Sequence, residues 1–196
     1  MKKNILPDDP AFDSNQKVGL IGFPPFFPKI IEGLSENGFA VEQLFIPYHP
    51  NKHINRLLSS PLFVKLISRV KGNRYKYDTL KLRHDDIALK EILGRRSFDV
   101  GFHKLNCIIR ENIFGSFRKG LINDHWGLLP FLRGKSTIAY TVLFGFPMAA
   151  TMHLIEKGID TGKIVGYAEE VDISGMKDLE AIRNHIRNTL PGRVIR

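Results

Sequence analysis

Apolar runs of strand length, each paired with a segment of helical spacing, constrain this chain more than any other feature of its sequence. Residues 17–22 (KVGLIG) form a short apolar run ending in glycine, and Ile30, Ile31 and Leu34, closed by Gly38, have the spacing of a helix with its C-terminal stop. Residues 40–46 (AVEQLFI) have strand composition, and a helix is expected over about 53–70, with Ile54, Leu57, Leu58 and Leu66 on one face. Asp85 or Asp86 can cap a helix carrying Ile87, Leu89, Ile92 and Leu93, ahead of a buried strand over 98–102 (FDVGF). A helix near 110–117 leads into a short strand over 120–123. Strands alternating with helices predict an α/β fold with a mostly parallel central sheet, helices on both faces, and ligands beyond the carboxyl ends of the strands. Past that point the spacing predicts a helix over 137–144, strands over 149–155 and 163–171, and a last helix with Leu179, Ile182, Ile186 and Leu190 on one stripe.

A chain of 196 residues suits one full-sized domain, so residues 17–196 are read as a single domain and residues 1–16 as a flexible extension. The one cysteine, Cys107, has no internal partner for a disulfide, and the first residues lack the apolar core of a signal peptide. A cytoplasmic location is the expectation. The longest uncharged run, 138–152, is broken by Gly145 and Pro147 and falls below the ~18 residues of a membrane span, so it is read as core and no membrane partner is expected. Lys and Arg outnumber Asp and Glu by 29 to 20, and the resulting +9 favours anions as partners. Part of the excess lies between Lys65 and Arg83, where Lys65, Arg69, Lys71, Arg74, Lys76, Lys81 and Arg83 face only Asp78, with Tyr75 and Tyr77 among them. Such a basic loop can hold a phosphate and stack a base, or it can be a solvated surface segment.

The first turn excludes one common site of such folds. A dinucleotide site needs glycines after the first strand so that backbone N–H groups reach the pyrophosphate. Here the turn is GFPPFFPK, residues 22–29, and its three prolines supply no N–H. Neither His84, Asp85 and Asp86 nor His49 and His53 have the spacing of a closed four-ligand metal site, so no metal is expected.

The stretch NDHWGLLPFLRG, residues 123–134, carries the chemistry. On an extended segment Asn123 and His125 project to one side and Asp124 to the other. A carboxamide N–H beside an imidazolium N–H makes a donor pair for a negatively charged oxygen developing on a carbonyl. Alone, Asn-x-His would be read as a structural turn. Together with ATMHLIEKGIDTGKIV, residues 150–165, it resembles the formyltransferase family that uses 10-formyltetrahydrofolate, most closely its sugar N-formyltransferase branch. Asn123-Asp124-His125, Leu129-Pro130, Arg133-Gly134, Thr151-Met152-His153 and Asp160-Thr161-Gly162 follow the family's order and nearly its spacing.

The resemblance implies a Rossmann-like formyltransferase fold and an enzyme that moves a formyl group from 10-formyltetrahydrofolate to a primary amine. It places Asn123, His125 and Asp160 in the catalytic positions, with His153, Thr151 and Gly134 supporting them. An amine attacks the formyl carbon, an oxyanion forms and the folate nitrogen leaves with a proton. His125 and Asn123 would hold the oxyanion, while Asp160 would favour the charged form of His125 and pass the proton. Without the resemblance, His153 would be read as a core histidine. The pterin would lie between the Asp160 loop, including Glu156 and Ile159, and the segment 105–109, where Cys107 and Ile109 offer backbone groups and Leu105 and Ile108 pack. Gly158 and Gly162 flank the Asp160 turn.

For the acceptor, the proline-rich first turn departs from the glycine-rich phosphate loop of glycinamide ribonucleotide formyltransferases. The roughly 25 residues after Val171 leave no room for the C-terminal β-domain of methionyl-tRNA formyltransferases. An amino sugar of a nucleotide-linked sugar is therefore the expected acceptor, within a compact or C-terminally shortened family member that can form a homodimer. Trp126-Gly127 stands where the family usually has Pro-Ser, and Ala150 replaces a common glycine. Two alternatives stay open: a nucleic-acid-binding module built on the basic loop, and a relative that binds folate without turning it over.

Overall fold

The computed structural model describes residues 15–22, 28–45, 60, 62, 77–79, 87–105, 108–167 and 170–193. The chain divides into two compact units, one containing Gln16–Pro28 and Ala40–Leu121, the other Lys29–Phe39 and Ile122–Arg196.

In the first unit the strands β1 (Val18–Gly22), β2 (Val41–Phe45), β3 (Tyr77–Thr79) and β4 (Val100–Lys104) are ordered β3-β2-β1-β4 and pair in parallel, with Val18 opposite both Val41 and Val100. Parallel strands covered on both faces bury every residue, and β1 is buried from Val18 to Gly22, as its unbroken apolar run demands. Gly19 and Gly101 are glycine for a packing reason. A Cβ at Gly19 would sit 2.9 Å from the Phe98 ring, and one at Gly101 would sit 2.3 Å from Phe117. The two rings stack at 6.0 Å, and the two glycines leave the room their faces need. At the start of β1, the Lys17 N–H donates to the Asp99 carboxylate at 2.8 Å, its ammonium lies 3.1 Å from Glu42, and Arg118 holds Asp99 at 2.7 Å.

Sequence spacing predicts the helix following Asp85 and Asp86, and it forms as Ile87–Arg96, with Leu89 and Leu93 fully buried. The helix expected near 110–117 shrinks to one turn, Glu111–Phe114, because Gly115 and the bends after it end it early. Inside the basic block the structure has the strand β3 where the sequence suggests only a loop: backbone pairing with β2 overrides local composition. The rest of that block, the helix expected over 53–70, the caps Asp85 and Asp86, and most of the proline-rich turn lie outside the described residues.

The second unit begins with the helix Pro28–Glu36, which buries Ile30, Ile31 and Leu34 and ends at Gly38 with φ of 80°. β5 (Gly120–His125), which enters this unit at Ile122, β6 (Thr151–Leu154) and β7 (Ile164–Tyr167) run in that order and antiparallel. The helices Thr137–Phe144 and Leu179–Arg193 pack on one another. Two expectations are corrected here. β5 runs two residues further than 120–123, so Asn123 and His125 belong to the strand itself. The uncharged run 138–152 is only partly core: Ile138, Thr141 and residues 148–152 are buried, whereas Tyr140, Val142, Leu143 and Phe144 are exposed. A helix turns 100° per residue and can present only one side to the interior. Leu179 shares the stripe of Ile182 and Ile186 but, as the first residue of the last helix, is exposed while those two are buried.

Candidate active site

Two antiparallel strands and one hairpin loop, all in the second unit, build the site. In the β5–β6 register Asn123 lies opposite His153 and His125 opposite Thr151, with Asp124 opposite Met152. Period-two alternation therefore puts Asn123, His125, Thr151 and His153 on one face, and Asp124 on the other. β6 then turns back into β7 through residues 155–163, closed by the Leu154 N–H donating to the Lys163 carbonyl at 2.9 Å. Gly162 is obligatory in that turn, since a Cβ there would meet the Leu154 carbonyl oxygen at 1.9 Å. Asp160 itself has φ of 50°, a left-handed conformation that Asp and Asn tolerate better than most residues. Backbone strain at a residue with candidate chemistry often accompanies function.

The loop carries the Asp160 carboxylate onto the strand face. Its Oδ2 lies 3.4 Å from His125 Nδ1 and its Oδ1 3.5 Å from His153 Nε2. The Gly134 N–H donates to Oδ2 at 2.7 Å, so the backbone of the Arg133-Gly134 pair fixes the acid. Burial pushes the Asp160 carboxyl up, but the His153 contact, the Gly134 N–H and the charges of His125 and His153 outweigh it, so the group is held below its ordinary range. It stays a carboxylate.

Backbone carbonyls set both imidazoles. His125 Nε2 donates to the Leu132 carbonyl at 2.6 Å, and His153 Nδ1 donates to the Leu154 carbonyl at 2.8 Å. Each ring thus turns its other nitrogen toward Asp160. Asn123 Nδ2 lies 3.2 Å from His153 Nε2, which ties the amide to the same cluster. Both rings are buried, whereas Asn123 and Asp160 are partly exposed. The Thr151 hydroxyl accepts from the Leu129 N–H and donates to the Gly127 carbonyl, pinning the 127–132 turn from which Leu132 reaches His125. Gly127 packs against the same ring: a Cβ there would lie 3.2 Å from His125 Nε2.

Asn123, His125, Asp160, His153, Thr151 and Gly134, all expected from the sequence, are brought together by the fold and interact directly or through the same turns. Nothing in the sequence signals that the Leu132 carbonyl orients His125, because a main-chain acceptor leaves no residue signature. The Gly127 contact is equally silent. Of the pterin-contact candidates, Leu105 and Ile109 are buried while Ile108, Glu156 and Ile159 are exposed; Cys107 lies outside the described residues, as do the histidine clusters 49/53 and 84–86. Among the described residues, no helix is long and apolar enough to cross a membrane.

No family model matches the chain. It is 30% identical over 139 residues to a methionyl-tRNA formyltransferase of Finegoldia magna, covering 65% of this chain and 44% of that protein. The chain spans about half the length of the curated relatives it matches. Among solved structures, glycinamide ribonucleotide transformylase 1 from Geobacillus kaustophilus superposes with a TM-score of 0.66 at 17% identity, covering 92% of this chain and 97% of that one. A sugar N-formyltransferase from a Shewanella species superposes with a TM-score of 0.61 at 16% identity, covering 92% and 65%. The fold is the Rossmann-like formyltransferase fold, a mixed and mostly parallel sheet with helices, and in sequence the chain is similar to methionyl-tRNA formyltransferases.

Proposed function

We infer that this chain transfers a formyl group from 10-formyltetrahydrofolate to a primary amine. The reading rests on one observation: a carboxylate from the β6–β7 hairpin lies 3.4 Å from the imidazole of the strand that also carries the amide. The bound folate would supply an electrophilic formyl carbon and a nitrogen able to leave once protonated. Asp160, ionised and partly exposed, takes the proton the attacking amine loses as its nitrogen bonds the formyl carbon, and hands it through water toward the departing nitrogen. Asn123 Nδ2 carries a second N–H beyond the one shared with His153, and that N–H meets the formyl oxygen as charge develops on it. His125 has Nε2 engaged by Leu132, so its contribution comes through Nδ1. At 3.4 Å from Asp160 that contact is longer than a charge-assisted bond of about 2.8 Å, leaving the Nδ1–H to be shared with the substrate oxygen. His153, Thr151 and Gly134 hold these groups in place.

For the acceptor we favour an amino sugar carried on a nucleotide. Supporting this reading are the basic, tyrosine-bearing block 65–83, suited to a pyrophosphate and a base, and the absence of a glycine-rich first turn. The sequence relatives favour a second reading, in which the amine belongs to methionyl-tRNA. Donor folate incubated with nucleotide-linked amino sugars and, separately, methionyl-tRNA distinguishes the two. Formylated sugar supports the first, formylated methionyl-tRNA the second, and a folded protein that formylates no amine overturns both. In that last case binding of folate without product, unchanged in His125→Ala, leaves a non-catalytic folate binder. Salt-sensitive oligonucleotide binding indifferent to folate leaves a nucleic-acid module.

A further inference from the structure

We propose that His125 Nδ1, His153 Nε2 and an Asp160 carboxylate oxygen form a site for a divalent transition-metal ion of the zinc class, whose occupation shuts the centre down. The inference does not depend on the formyl-transfer reading.

Three observations carry it. The donor atoms converge, all lying within 4.8 Å of one another with both imidazoles buried. Their spacing is also that of ligands rather than of hydrogen-bond partners. The two nitrogen–oxygen distances are 3.4 and 3.5 Å, whereas a charged N–H···O bond runs about 2.8 Å, and ligands at ~2.05 Å from a tetrahedral zinc stand about 3.3 Å apart. Finally, each donor is held from behind in the way metal ligands are held. His125 and His153 each give their remote N–H to a main-chain carbonyl, Leu132 and Leu154, so that the inward nitrogen of each neutral ring offers a lone pair to an ion. Asp160 receives the Gly134 N–H at 2.7 Å, leaving its other oxygen for an ion. Two imidazoles and one carboxylate suit zinc, with a fourth position for water.

An ion there would take the Asp160 lone pair needed to accept a proton and displace the Asn123 N–H from His153 Nε2. The ion therefore acts as an inhibitor of whatever chemistry these residues perform.

Cobalt(II) titration of the full chain against a weak competing chelator tests the site without any activity assay. One ion per chain, visible absorption bands of a low-coordinate nitrogen–oxygen site, and displacement by zinc are expected. Asp160→Asn and His153→Gln should each weaken binding about 100-fold or more, since losing even an outer partner of a ligand costs about 10- to 100-fold. Absence of stoichiometric uptake by the folded wild type overturns the proposal, as does equal binding by the two variants, which would send the ion to other histidines. Should a variant not fold, anomalous scattering from zinc-soaked wild-type crystals decides: a peak between His125 and His153 supports the site, and a peak only elsewhere, or none, refutes it.

Discussion

The parallel strands and the antiparallel strands of this molecule bury different things. β1 and β4 bury Val18, Leu20, Ile21, Val100 and Phe102 with one polar side chain, His103, among them, whereas β5 and β6 bury Asp124, His125, Thr151 and His153 beside Leu121, Ile122 and Met152. In the first unit stability comes from apolar area and close packing. In the second, strand residues are buried in spite of their polarity, and each of the two site histidines is satisfied by a main-chain carbonyl. The candidate site lies where antiparallel strands pair, and Asp160 of the β6–β7 hairpin reaches both His153 on the strand just before it and His125 on the strand beyond.

That contrast breaks most sharply at Asp160. Asp160→Asn keeps a side chain that tolerates the left-handed backbone, so the fold should persist while formyl transfer falls about a thousandfold, or ~4 kcal/mol of barrier. Steady-state kinetics beside a circular dichroism spectrum checks both halves. Phe98→Ala should do the reverse: the buried ring lies under Gly19 and against Phe117, and its loss should lower unfolding stability by about 3 kcal/mol in denaturant titration. Turnover per folded molecule should change far less.

Smaller effects sharpen the boundary between packing and chemistry. Gly162→Ala forces the hairpin away from the Leu154 carbonyl, with an expected loss of about 2 kcal/mol in stability and a parallel fall in kcat. If stability drops and kcat holds, the loop does not position Asp160. Gly127→Ala presses on the His125 ring at 3.2 Å, and about a tenfold loss of kcat is expected with under ~1 kcal/mol of stability. The smallest effect is on the pH dependence of stability. Because the Asp160 carboxyl is held below its ordinary value of 3.8, its stabilising contribution is complete above that value and is lost as pH falls through the lower folded-state value. The gap in unfolding midpoint between wild type and Asp160→Asn should therefore narrow only in strongly acidic solution.

Element types were legible wherever burial is total or alternation strict. The run 18–22, the helix stripe Leu89/Leu93 and the helix Thr137–Phe144 fall where their spacing predicts. Less legible were features set by partners distant in sequence. β3 forms inside a basic block because β2 offers it a backbone edge, and the last two residues of β5 become strand because β6 pairs with them. The same limit governs the site. Asn123, His125, His153 and Asp160 were singled out through motifs that resemble a family's, and the fold brings them together, while the Leu132 carbonyl and the Gly127 contact have no signature in side-chain identity.

What the amino-acid order alone determined was the menu: which segments are strands or helices, and which side chains can donate, accept or carry charge. Period-two alternation even settled that Asn123 and His125 share a face. Only the folded chain decided that the Asp160 hairpin lies over that face, that Gly134 reaches back to hold its carboxylate, and that both imidazoles turn their remaining nitrogen inward. The reason is physical. Local pattern follows from each residue's own geometry and solvation, whereas contacts across 26 to 35 residues depend on strand pairing and on main-chain groups that every residue carries alike.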